Sequence, residues 1–295
     1  MIADSCKTTK YRLLMLACIF CLSLTGFTRA DVDLLDGDVV PNGTDFDNGC
    51  VTNVFDGAII GLGVDLSNGT LNVLGGEVAL GASSIASGFT NTNNQVNISG
   101  GNIGPFFQFF NSTGIVTGGT LETFGVFAGS EVTIEGGTVT GFPDVFGNGV
   151  FNLRGGSVNS IRALAGSEIN IFGSQFSIGG TPVTVAPGQT LTVQQRNVTL
   201  QATLADGTVF EIFMRPTDPG FPSNPVVLST ATLNLVGAET VTPGDVNEDG
   251  EVNLLDVAPF IDLLASSEFS ESADINMDGS VNLLDVGPFI DLLSQ

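Results

Sequence analysis

A chain of 295 residues has room for one large domain and a small one. It holds 39 Gly and 22 Phe but neither Trp nor His, and its 8 Lys plus Arg against 31 Asp plus Glu give a net charge of −23. Without His the usual nucleophile triads are excluded, and such acidity excludes nucleic acid and anionic membrane surfaces as partners.

Residues 1–30 have the order of a secretory leader. Lys7, Lys10 and Arg12 precede the apolar run from Leu13 to Leu22, and small or polar residues then lead to Ala30. The run is shorter than the roughly 20 residues a spanning helix needs, so an uncleaved anchor fits less well. A lipoprotein site at Cys18 or Cys21 also matches its flanks poorly. The expectation is therefore a secreted or cell-surface protein with no membrane span once the leader is gone. Its removal takes every Lys and leaves Arg154, Arg162, Arg196 and Arg215 against 30 Asp plus Glu, a charge of −26. Cys50 then stands alone, so no intrachain disulfide forms, and with no His to activate it this thiol reads as a small packed side chain.

From residue 31 a phrase recurs: apolar, Asn or Thr, apolar, any residue, Gly-Gly, any residue, apolar. Clear copies run over 71–78, 96–103, 132–139 and 151–158, as in Val96-Asn97-Ile98-Ser99-Gly100-Gly101-Asn102-Ile103. Altered copies run over 115–121 and 169–176, and weaker ones over 33–39, 53–59 and 192–198. The central apolar residues are Leu34, Val54, Val73, Ile98, Val116, Ile134, Leu153, Ile171 and Val193. Most steps between them are 18–20 residues, with a longer one around Gly81–Asn94. Alternating apolar residues at that period predict one turn of a parallel β-helix per copy. The apolar pair points inward, the Asn or Thr between points outward, and the Gly pair forms a tight corner. A β-sandwich with evenly spaced turns is the alternative. The shared register favours the coil.

Beyond Val198, two alternating segments (199–204 and 208–213) flank Ala205-Asp206-Gly207, a hairpin signal. A loop with Pro216, Pro219, Pro222 and Pro225 follows, then a strand over Ala231–Val236. Residues 199–236 are read as an antiparallel cap over the open end of the coil, and 237–243 as a linker.

Two nearly identical segments, 29 residues apart, close the chain. Each places oxygen side chains at positions 1, 3, 5, 9 and 12 of a twelve-residue loop, with Gly at position 6. The first supplies Asp245, Asn247, Asp249, Asn253 and Asp256, with the carbonyl of Glu251 at position 7. The second supplies Asp274, Asn276, Asp278, Asn282 and Asp285, with the carbonyl of Ser280. A hard cation that takes six to eight oxygens fits this spacing, so two Ca2+ ions are expected, one per loop. Asp at position 12 departs from the usual Glu.

These paired loops resemble type I dockerin repeats over residues 244–295, and those modules also carry Asp at position 12. The resemblance implies a small pseudo-twofold α module around two calcium ions, with one helix after each loop, docking onto a cohesin-like or cell-envelope protein. Where cellulosomal dockerins often carry Ser or Thr for partner recognition, this chain has Leu254-Leu255 and Leu283-Leu284. Pro259 and Pro288 either interrupt the following helix or restart it at its first turn.

Dockerins and parallel β-helices both accompany polysaccharide degradation, so a glycoside hydrolase or lyase is the rival reading, with polysaccharide as partner. Glu135 beside Arg154, Arg162 within the same coil, and Glu122 or Glu131 are the residues to draw into such a site. None forms a recognisable catalytic phrase. The sequence thus reads as a mainly β, non-catalytic binding or structural domain, attached through a calcium-dependent docking module.

Overall fold

The computed structural model describes residues 32–42, 45–46, 51–61, 64–78, 90–217, 226–238, 243–247, 249–266, 269–270, 272–276 and 280–294. The leader, Cys50, most of the longer loop, Pro219, Pro222, Pro225, most of the linker and Asp278 lie outside the described residues. The chain divides into two compact units, Met1–Ala238 and Glu239–Gln295. No helix among the described residues is long and apolar enough to cross a membrane.

The first unit is a parallel β-solenoid with three faces. One sheet stacks Val32–Leu34, Val51–Val54, Thr70–Val73, Gln95–Ile98, Thr113–Val116, Glu131–Ile134, Val150–Leu153 and the start of Glu168–Ile178. A seven-stranded sheet of two-residue strands runs from Val39–Val40 to Ser157–Val158. The third face runs from Asp45–Phe46 to Arg162–Ala163 and then Val226–Val227. Pairing along all three stacks is parallel, which a sandwich of antiparallel sheets does not have.

The repeat sets the register residue by residue. Leu34, Val54, Val73, Ile98, Val116, Ile134, Leu153 and Ile171 stand directly above one another. Their side chains fill the lumen, each contributing roughly 1.5–3 kcal/mol by leaving water. Phe107, Phe109, Phe124 and Phe151 complete the core through a chain of ring contacts. Gly114 leaves the space that the Phe109 ring occupies, since a Cβ there would lie 2.6 Å from it. On the outer side of the third sheet, Phe110, Phe127 and Phe146 stack at 4.2 and 4.4 Å.

Corners form where the Gly pairs predict them. At Gly137 φ is +78°, and a Cβ would sit 2.8 Å from the backbone of Gly118 one turn below. Only glycine allows both that conformation and that approach. The outward Asn side chains build ladders between turns. Asn72 donates to Asn53 at 2.7 Å and Asn97 to Asn72 at 2.8 Å. Ile115 interrupts the series, which resumes where Asn170 donates to Asn152 at 2.9 Å and Asn234 to Asn170 at 2.9 Å. Each amide thereby satisfies the group its neighbour presents on a partly buried face.

The hairpin forms as expected, with Thr199–Leu204 antiparallel to Val209–Phe213. Its turn is tied to a solenoid corner, because the Asp206 carboxylate accepts the Gly156 N–H at 2.7 Å. Two expectations about this end need correction. The strand expected over Ala231–Val236 runs from Thr232 to Gly237 and pairs parallel with Glu168–Gly173, so it adds a strand to the stack. Leu235 therefore stands above Ile171, the place the repeat phrase assigned to Val193. Residues 190–192, which lead into that supposed ninth copy at Thr192, run antiparallel along the new strand and cover its edge. The reason is that the chain leaves the coil after Gly173 and returns only at Val226, which no local period reports.

Arg196 closes the third face at this end. Its guanidinium donates to the carbonyls of Val193, Gln195, Val227, Leu228 and Ala231 at 2.9–3.4 Å. Burial pushes its pKa below the ordinary arginine value.

Candidate metal-binding and docking module

The second unit is built from two similar halves. In the first, Gly250 takes φ +91° and turns the loop back on itself. The Asp245 carboxylate accepts the N–H groups of Asp249 at 3.0 Å and Gly250 at 2.9 Å. Asp256 closes the loop from the other end, accepting Asn247 N–H at 3.0 Å and Asn253 N–H at 2.8 Å. The second half repeats this closure, with Asp285 accepting Asn276 N–H at 3.1 Å and Asn282 N–H at 2.9 Å.

Each loop runs directly into a helix. Asn253 and Asp256 form a capping box at a short 3-10 turn, Leu254–Asp256, and a helix follows over Val257–Ser266. Val286–Leu293 is its counterpart. Pro259 and Pro288 are third in their helices, within the first turn, where a backbone N–H has no intrahelical acceptor. Of the two roles open to these prolines, each restarts the helix. Phe260 and Phe289 stack across the halves at 4.2 Å, in a core completed by Ala273 and Val281.

Electrostatics give the loops their chemical character. Asp256 and Asp285 are 0% exposed, and Asp245 and Asp274 are also buried. Residues 239–295 contain thirteen Asp plus Glu and no Lys, Arg or His. The unit therefore holds buried carboxylates with no cationic side chain of its own, a costly arrangement unless a cation is bound. Backbone N–H groups compensate only part of that charge. Among the described residues, no three His, Cys, Asp or Glu side chains gather as a metal cluster. The oxygen set would have to draw on Asn247, Asn253, Asn276 and Asn282, on backbone carbonyls, and on Asp278. Oxygen-only donors of this kind suit a hard cation.

Of the residues drawn into a catalytic site, Glu135 and Arg154 directly follow the paired Ile134 and Leu153 on adjacent turns, as the coil register predicts, but Arg162 does not join them. Arg162 lies on the third face, 2.7 Å from Asp144, whereas Arg154 lies at a corner of the first sheet over the Phe172 ring. Glu131 receives the Asn152 amide at 2.7 Å, and Glu122 and Glu135 are exposed. A feature that sequence reasoning missed is the Asn-to-Asn ladder, although the Asn recurring between apolar residues is its signal.

Fold and loops together define a β-solenoid protein with a small C-terminal α module of paired acidic loops. The dockerin type I domain model matches residues 243–290, so that module is a type I dockerin. No curated protein and no solved structure matches the chain.

Proposed function

We propose that this is an exported protein whose dockerin module, folded around two calcium ions, docks a non-catalytic β-solenoid onto a cohesin-type or cell-envelope partner. The observation that carries this reading is the pair of fully buried carboxylates, Asp256 and Asp285, in a unit without a single cationic side chain. Asp245, Asn247, Asp249, Asn253 and Asp256 would hold one ion with the Glu251 carbonyl. Asp274, Asn276, Asp278, Asn282 and Asp285 would hold the other with the Ser280 carbonyl. A bound cation supplies positive charge that offsets these carboxylates and ties both ends of each loop together. The loops thereby fix the two helices, whose core is small, and dockerin domains bind cohesins through such a fixed module.

Calorimetric titration of the secreted chain with calcium tests this reading, followed by binding to a panel of cohesin domains with and without chelator. Two sites and chelator-sensitive capture are expected. Fewer than two sites, or capture that ignores the chelator, would overturn it.

A further inference from the structure

The antiparallel cap of the solenoid ends on an open edge. The second half of Glu168–Ile178 is flanked by Thr181–Val183 and Thr199–Leu204, and Val209–Phe213 lies on the far side of the latter with no further neighbour. Thr208 accepts the Leu204 N–H at 2.8 Å and Met214 donates to Val198 at 2.9 Å, which sets the phase of this last pairing. Phe210 and Ile212 therefore bond to Ala202 and Leu200, while the N–H groups of Val209, Glu211 and Phe213 face away from the sheet. The carbonyls of Val209 and Glu211 face the same way. Among the described residues none of these groups has a hydrogen-bond partner. Other edges at this end are guarded: Thr181–Val183 carries Pro182, and residues 190–192 cover the strand Thr232–Gly237.

Side chains decide what can pair with this edge. Alternation puts Phe210 and Ile212 in the core and Val209, Glu211 and Phe213 on the outer face, where Val209 is 75% and Phe213 43% exposed. Two apolar groups thus flank one carboxylate. Gln201 donates to that carboxylate at 2.6 Å, but among the described residues no cationic side chain pairs with it. A second copy of the chain, pairing about a twofold axis at Glu211, would set that residue against its own counterpart. Like charges directly opposite are destabilising, and a net charge of −23 per chain adds to the repulsion. A basic residue opposite Glu211 reverses the sign.

We infer that Val209–Phe213 takes up an extended segment of a partner protein as an added strand, with the pattern apolar, any residue, Lys or Arg, any residue, apolar. The outward N–H and carbonyl groups hold the segment's backbone, and the three outward side chains select its sequence. Its basic residue stands opposite Glu211, and its apolar residues stand opposite Val209 and Phe213. The solenoid is then a binding domain in its own right, independent of calcium and of the docking reading.

The test uses the secreted chain and three labelled peptides, followed by fluorescence anisotropy. The first is Thr-Val-Thr-Lys-Thr-Val-Thr, and the second has Glu in place of Lys. The third is the first with the backbone nitrogens of Lys and both Val methylated, so that it cannot donate to the edge. The first is expected to bind at least tenfold more tightly than either of the others. Glu211→Gln should remove most of the preference for Lys over Glu. Glu211→Pro withdraws an outward N–H while leaving the bonds to Thr199–Leu204 in place, so it should weaken the first peptide at least tenfold with circular dichroism unchanged. Equal binding of the methylated peptide would show side-chain contact without strand addition and overturn the inference. Equal binding of the Glu peptide, or no binding of any, would do the same. A chain that dimerises in sedimentation, and ceases to as Glu211→Pro, would assign the edge to a second copy and also overturn it. Should Glu211→Pro fail to fold, the methylated peptide against the unaltered chain still decides.

Discussion

Asp256 accepts the backbone N–H of Asn247 across nine residues at 3.0 Å, and Asp285 makes the same bond to Asn276 at 3.1 Å. One carboxylate thus closes each loop onto its third position. Asp256→Asn keeps the side chain's size but removes its charge. It is expected to weaken calcium in the first loop by about tenfold or more, near 1.4 kcal/mol per tenfold. Calorimetry should then show one high-affinity site, and Asp285→Asn should do the same from the other half.

Removing calcium should act on one unit and spare the other. With ion at about 100 times its dissociation constant, binding stabilises a fold by about 2.7 kcal/mol per site. Chelation is therefore expected to abolish the module's helical circular dichroism and its calorimetric transition. The transition of the solenoid should stay within a degree or two.

Asn152 links the ladder on both sides, donating to Thr133 and Glu131 and accepting from Asn170. Asn152→Ala leaves those groups without their partner in a place already 7% exposed. A loss of about 1–3 kcal/mol is expected in urea unfolding of the solenoid. Ile115 occupies the ladder position in an intact turn, so Asn152→Ile should cost less than Asn152→Ala.

Two glycines with the same φ separate conformational strain from close packing. Gly137 and Gly180 both have φ +78°, but only Gly137 faces backbone within 3 Å of a built Cβ. Gly180→Ala is expected to cost about 1 kcal/mol, the strain of the left-handed region alone. Gly137→Ala should cost clearly more, because the turn below must move. Melting temperatures of the two variants compare the terms directly.

Arg196 serves five carbonyls at the closed end of the solenoid. Arg196→Met keeps much of the stem but withdraws its hydrogen bonds from all five, of which Leu228 still accepts the Ala231 N–H. A loss of about 2–4 kcal/mol is expected, since each unmet buried group costs about 1–3 kcal/mol and water can reach some of them. Hydrogen exchange should rise first at Val227, Leu228 and Ala231, before the earlier turns respond.

Much of this molecule is written locally. Alternating apolar residues and Gly corners determined the stack from Leu34 to Ile171, because inward pointing has a period of two and a positive φ admits few residues but glycine. The dockerin loops were equally plain, since oxygen spacing within twelve residues is a property of one short segment. The tertiary structure alone decided where the stack ends. Leu233-Asn234-Leu235 carries the repeated phrase, yet 64 residues separate Leu235 from Ile171, and only hydrogen bonds between distant strands bring it into register in place of Val193. The same long-range pairing turned residues 190–192 into an edge cover and placed Arg196 over the last carbonyls. It also put Arg154 and Arg162 on different faces, because a solenoid turn separates neighbours in sequence while it stacks residues about 18–20 apart.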